Sequence, residues 1–195
     1  MKYAAAGLVA VAGAAAGAYY ATRPTETPTP TKTPTPTPKP VVTTPSGAPS
    51  VFILKSDDFE DEEEIPPRFT CDGENVSPQL SWKNMPEGTK SFALSVIDVD
   101  APGGTFVHWL IYDIPSDVRE IEEGGLPTGA KQLENDFGKK SYGGPCPPSG
   151  KHRYIFTLYA LDIEHLEDVD RKNFLERIEK HSIGKAELTG LYARR

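Results

Sequence analysis

Apolar residues recur along this chain at strand length and strand spacing, separated by clusters of turn-forming residues. The strand-like runs are Val51–Leu54, Gln79–Trp82, Phe92–Asp98, Phe106–Ile114, Tyr154–Ile163 and Leu188–Tyr192. Within Ser91–Val96 the large apolar residues fall at every second position, so Phe92, Leu94 and Val96 share one face of a strand. That face belongs in a core. Tyr154, Phe156, Leu158 and Ala160 share one face of the longest run, and Ile155, Tyr159 and Leu161 share the other, which predicts a central strand covered on both sides. Only one stretch reads as helix. Between Arg171 and His181, Phe174, Leu175 and Ile178 fall at near-helical spacing, with Asp170 placed to cap the start and Gly184 to end it. Strands punctuated by turns, with a single late helix, predict a mainly β domain: an antiparallel β-sandwich carrying few peripheral helices.

Composition divides the chain near residue 50. Ahead of that point lie an uncharged run, Ala4–Ala21, and then a Thr-Pro repeat containing TPTPTKTPTPTPKP. The first predicts a signal peptide or N-terminal membrane anchor over residues 1–22, since its length lies between a signal core and a full span. The second, over residues 23–50, predicts an extended, disordered stalk, because proline removes backbone donors and nothing apolar is available to bury. The globular domain is expected over residues 51–195, outside the cytoplasm and either membrane-anchored or secreted. A net charge of −7 without clustered Lys or Arg argues against a nucleic-acid partner. The acidic run Asp57–Glu64 reads as a solvated loop.

Four polar clusters stand out within the domain: Asp98-Val99-Asp100-Ala101-Pro102, His108-Trp109, Tyr142-Gly143-Gly144-Pro145 and His152-Arg153-Tyr154. Each sits at a strand end or in a loop leading into one, where a rigid scaffold fixes side chains and leaves them reachable. Imidazoles and a phenol can donate to an anion, and a carboxylate can hold an imidazole tautomer. Paired glycines allow backbone N–H groups to turn inward. The combination suits a phosphate-sized pocket of mixed polarity. Because an imidazole donates best when protonated, anion affinity is expected to fall between pH 5 and 8. By strand alternation Arg153 faces away from His152 and Tyr154 and reads as a salt-bridge partner. Trp82 and Trp109 read as core, and His165 and His181 as surface residues.

The string DVDAP followed by HW, and then GGPCPPSGKHRYIFTLYAL, resembles the two signature regions of the phosphatidylethanolamine-binding protein family. CDGENVSPQLSW at Cys71–Trp82 and the closing IGKAELTGLYARR support the likeness, which covers Val51 to Arg195. The resemblance implies a large central antiparallel sheet, a smaller sheet packed on it, and an anion-accepting pocket at one end. Carried over by position, that pocket takes Asp98, Asp100, Pro102, His108, Gly143, Gly144, Pro145, His152 and Tyr154 as ligand-binding residues. Val99 and Cys146 depart from the pattern of eukaryotic relatives, and the chain ends soon after Tyr192, which places it with the bacterial and archaeal branch.

A small anionic or phosphorylated ligand is therefore the expected partner, with membrane contact through the N-terminal segment. The alternative is a protein-interaction or protease-inhibitor module that uses the loops around the pocket. The residue spacing shows neither a metal motif nor an activated nucleophile, so no cofactor, metal or catalysis is expected. Cys71 and Cys146 form an even count in an apparently exported chain, and we expect them to be bridged.

Overall fold

A computed structural model describes residues 50–194. The expected leader and nearly all of the expected stalk lie outside the described residues. Strands β1 (Ile53–Lys55), β2 (Glu63–Glu64), β3 (Leu80–Lys83), β4 (Ser91–Asp98) and β5 (Phe106–Pro115) come first. They are followed by β6 (Glu120–Ile121), β7 (Lys131–Gln132), β8 (Lys151–Leu161), helix α1 (Phe174–His181) and β9 (Ser182–Ala193).

Six strands form a sheet in the order β2-β9-β8-β4-β5-β7, and three form a smaller one in the order β1-β3-β6. Every pairing is antiparallel except β2 on β9. The sandwich that the residue pattern predicts is therefore present, with the large and small sheets that the family likeness implies. Phe92, Leu94, Val96, Phe156 and Leu158 line the inner face of the large sheet. They pack with Leu54, Leu80, Trp82 and Ile121 from the smaller one. On the outer face, Ala93, Leu110 and Leu161 meet Phe174 and Ile178 of α1. Strand β8 lies between β9 and β4 and is covered on both sides, as its two apolar faces require. Burying each of these large side chains contributes about 1.5–3 kcal/mol against chain entropy.

The helix ends differ from the expected ones. Asp170 accepts from the N–H groups of Lys172 and Asn173, a turn ahead of the helix, so its carboxylate stabilises the approach rather than the first helical turn. At the other end α1 runs directly into β9, and Gly184 lies inside that strand opposite Ala160. The helix stops because Ser182 turns extended to pair with β8, and no glycine cap is needed.

Strand β5 carries two irregularities against β4. At the first, Val96 pairs with Trp109 and Ile97 with Val107, leaving His108 as the extra residue of a bulge. Val107 accordingly packs on the outer cluster and Trp109 in the inner core, although a regular strand would put both on one face. The bulge lies at the end of the sheet that β4 leaves and β5 and β8 enter.

Candidate functional site

Asp98 closes β4, Phe106 and His108 open β5, and His152 and Tyr154 open β8. Registers Asp98 with Tyr154 and Asp98 with Phe106 bring these three strand ends together. Asp98, His152 and Tyr154 share the inner face, because Asp98 continues the row of Phe92, Leu94 and Val96 while His152 precedes Tyr154 by two residues. The result is a cavity of about 260 Å³ lined by Asp98, Ala101, Pro102, Phe106, His108, Phe137, Cys146, Pro147, Pro148 and His152.

Each imidazole is fixed through Nδ1. His152 Nδ1 lies 2.7 Å from Asp98 Oδ2, and the other oxygen of Asp98 accepts the N–H of Asp100 at 2.9 Å. His108 Nδ1 lies 2.6 Å from the carbonyl oxygen of Gly143. Its ring is packed by Phe106, Phe137 and Tyr154, and this burial pushes its pKa below the usual 6.5. His108 is therefore a neutral ring at pH 7, with its proton on Nδ1 and a lone pair on Nε2.

That state revises the expected use of the ring as a protonated donor. The glycines are revised as well. Gly143 N–H donates to the His108 carbonyl and Gly144 N–H to Asn75 Oδ1, so neither N–H group turns into the cavity. Gly143 instead contributes its carbonyl, which sets the His108 tautomer. A Cβ on Gly143 would stand 2.4 Å from the Phe137 ring, and one on Gly144 would stand 2.4 Å from the Phe69 carbonyl oxygen. Both positions need glycine because a ring and a backbone approach them so closely.

Asp100, Pro145 and Tyr154 sit behind the lining rather than in it. Asp100 holds Arg153 through both carboxylate oxygens, at 2.7 and 2.9 Å, and also accepts the Arg153 N–H. Those guanidinium and backbone donors bring its pKa down to about 2. The clamp fastens the Asp98–Pro102 turn to β8, and Arg153 faces outward as alternation requires. Pro145 accepts the N–H of Cys71 at 3.1 Å. The Tyr154 side chain is buried, and burial together with the charge of Asp98 raises the pKa of its hydroxyl.

Cys71 and Cys146 are bridged, with Cα atoms 5.4 Å apart, so one wall of the cavity is stapled to the loop that follows Phe69. Trp82 and Trp109 are buried in the core, and His165 and His181 lie at the surface.

Several lining residues escaped sequence reasoning. Phe106 and Phe137 form an aromatic wall with ring centroids 4.9 Å apart, and Phe137 is 42% exposed. Asn135 positions that wall. Its amide nitrogen donates to the carbonyls of His108 and Ser141, while its oxygen accepts from the N–H groups of Phe137 and Lys139. The turn formers in Asn135-Asp136-Phe137-Gly138 were the available signal. The lining holds no Lys or Arg, so its only full charges are those of Asp98 and whichever imidazole is protonated.

Residues 55–193 match the family model described as phosphatidylethanolamine-binding protein. A UPF0098 protein from Methanothermobacter thermautotrophicus is 49% identical over 148 residues, covering 72% of this chain and 98% of its own. Another from Aquifex aeolicus is 44% identical over 158 residues, covering 76% and 92%. Among solved structures, Escherichia coli YbcL, described as a member of the mammalian family, is 36% identical with a TM-score of 0.70, covering 75% of this chain and 100% of its own. A phosphatidylethanolamine-binding protein homologue from Chlamydia trachomatis is 37% identical with the same TM-score, covering 74% and 99%. With the match spanning β2 to β9 and all three strand ends that form the cavity, this chain belongs to the phosphatidylethanolamine-binding protein family, in its bacterial and archaeal branch.

Proposed function

We propose that the protein is a binding module whose cavity receives a small anionic, phosphorylated head group. The observation that carries this reading is the convergence of His108 and His152, from two different strands, on one cavity of about 260 Å³ with Asp98 behind them. That volume falls below the roughly 300–1,000 Å³ of drug-sized pockets and suits a head group rather than a whole lipid. Stiff prolines at 102, 147 and 148 lower the ordering cost of binding.

The proposed role is binding without turnover; Cys146 in the cavity lining is engaged in the disulfide and is not a free nucleophile. The uncharged Ala4–Ala21 run, the Thr-Pro segment and the disulfide all favour placement outside the cytoplasm, tethered or secreted. Mass spectrometry of the mature chain from its source tests that placement.

Calorimetric titration of the full chain with phosphoethanolamine, repeated for His152→Ala, tests the pocket. Losing a charge-assisted hydrogen bond worth about 1.5–3 kcal/mol weakens binding by roughly 10- to 150-fold. Absence of binding by the wild type at millimolar ligand sinks the reading and leaves the loop rim, as a protein-contacting surface, to be tested by pull-down.

A further inference from the structure

Resting on that reading, we infer that the cavity selects a phosphate monoester in its monoanionic, singly protonated form, a head group that brings its own P–O–H donor. A fully deprotonated oxyanion of the same shape is discriminated against.

The inference follows from where the imidazole protons are held. A carbonyl oxygen has no proton to give, so the 2.6 Å contact between Gly143 O and His108 Nδ1 requires the proton to be on Nδ1. The neutral ring therefore presents a lone pair at Nε2. That atom is not enclosed without a partner among the described residues, so it remains reachable from the cavity that the ring lines. A second proton on His108 would place a cation among Phe106, Phe137 and Tyr154, with ring centroids at 5.1, 5.4 and 5.1 Å. The nearest balancing carboxylate, Asp98, already accepts from His152 and from the Asp100 N–H.

His152 is built differently. Its Nδ1 faces a carboxylate at 2.7 Å, so a cationic ring there has a balancing charge and can donate from Nε2. With a second proton on His152, the two rings offer one acceptor and one donor.

The other titratable groups around them do not change this pattern. From β4 the facing group is Asp98, and from β8 they are His152 and the buried Tyr154 hydroxyl. From the turn after β4, Asp100 is held by Arg153 on the outer side. On the loop from Asn135 to Pro148, Asp136 is held by Arg171 and by the Val107 N–H, and Cys146 is bridged. No Lys or Arg lines the cavity to attract a dianion. A monoprotonated phosphate ester fits both rings: its P–O–H donates to His108 Nε2, and a P–O⁻ accepts from His152 Nε2. An oxyanion without a proton sets lone pair against lone pair at His108.

The test compares methyl phosphate with methyl sulfate on the full chain by calorimetry. At pH 5.5 both esters are predominantly monoanions, and only methyl phosphate carries a proton, its second pKa being about 6. The expected result is binding of methyl phosphate at least about tenfold tighter than methyl sulfate, as a hydrogen bond to a charged ligand commands. Methyl phosphate affinity then falls as pH rises through 6 to 8. Long-range ¹H–¹⁵N spectra of the unliganded protein should show His108 protonated at Nδ1 and bare at Nε2. Equal affinity for the two esters, or a His108 proton on Nε2, overturns this selection rule and leaves anion binding standing. Failure of both esters to bind at millimolar concentration overturns the rule and the binding function together.

Discussion

Removing the bridge between Cys71 and Cys146, by Cys71→Ser with Cys146→Ser or by reduction, acts mainly on the unfolded chain. The bridge closes a loop across a sequence separation of 75 residues. Chain-entropy arithmetic for that length gives about 15 cal/mol/K, or roughly 4.5 kcal/mol at 25 °C, an upper figure because residual structure in the unfolded state reduces it. The native wall has other attachments. Cys71 N–H donates to the Pro145 carbonyl at 3.1 Å, Gly144 N–H to Asn75 Oδ1 at 2.7 Å, and the Tyr142 hydroxyl to the Phe69 carbonyl at 3.0 Å. The cavity should therefore keep its shape while global stability falls. In urea, with a slope near 2 kcal/mol/M, the midpoint should drop by roughly 2 M. The assay is equilibrium unfolding followed by tryptophan fluorescence, with and without reductant, alongside imidazole NMR signals of the folded state. A midpoint shift below about 0.5 M would refute the loop-entropy reasoning. Displaced His108 and His152 signals would refute the claim that the remaining attachments suffice.

Gly144→Ala should destabilise the domain by about 1–3 kcal/mol, because the added Cβ meets backbone atoms of Phe69 and Thr70 that cannot swing aside; the urea midpoint measures it. Asp98→Asn should cost about 1–3 kcal/mol and alter the His152 tautomer, since a buried imidazole loses its ionic acceptor; unfolding curves and ¹⁵N spectra of His152 check the two halves. For Asp100, a folded pKa near 2 against an ordinary 3.8 means that its stabilising contribution is complete above about pH 4 and is lost as pH falls toward 2. Arg153→Ala should return the Asp100 titration to the ordinary carboxylate range, as a carboxyl ¹³C titration would show; an unchanged midpoint would remove Arg153 as the cause.

The sequence by itself determined the class of fold and the two-sided strand at its centre. Period-two alternation in Phe92–Val96 and in Tyr154–Leu161 is a local consequence of backbone geometry, so it reads directly as faces. Alternation also sent Arg153 outward, toward Asp100. The motif clusters located the strand ends that form the cavity, since Asp98, Pro102, His108 and His152 all line it. The short strands β2, β6 and β7 were not legible, because two residues carry no period and pair only where longer strands offer an edge.

What the tertiary structure decided is the proton economy of the site. Whether His108 is a donor or an acceptor depends on a bulge in β5, on the carbonyl of a residue 35 positions away, and on three rings that bury it. Whether Gly143 and Gly144 offer N–H groups depends on which neighbours claim them first, and here the His108 carbonyl and Asn75 do. Hydrogen-bond direction and burial are properties of partners far apart in the chain. A list of residue types can name the groups that meet, whereas only their packing fixes which atom of each group is left to face a ligand.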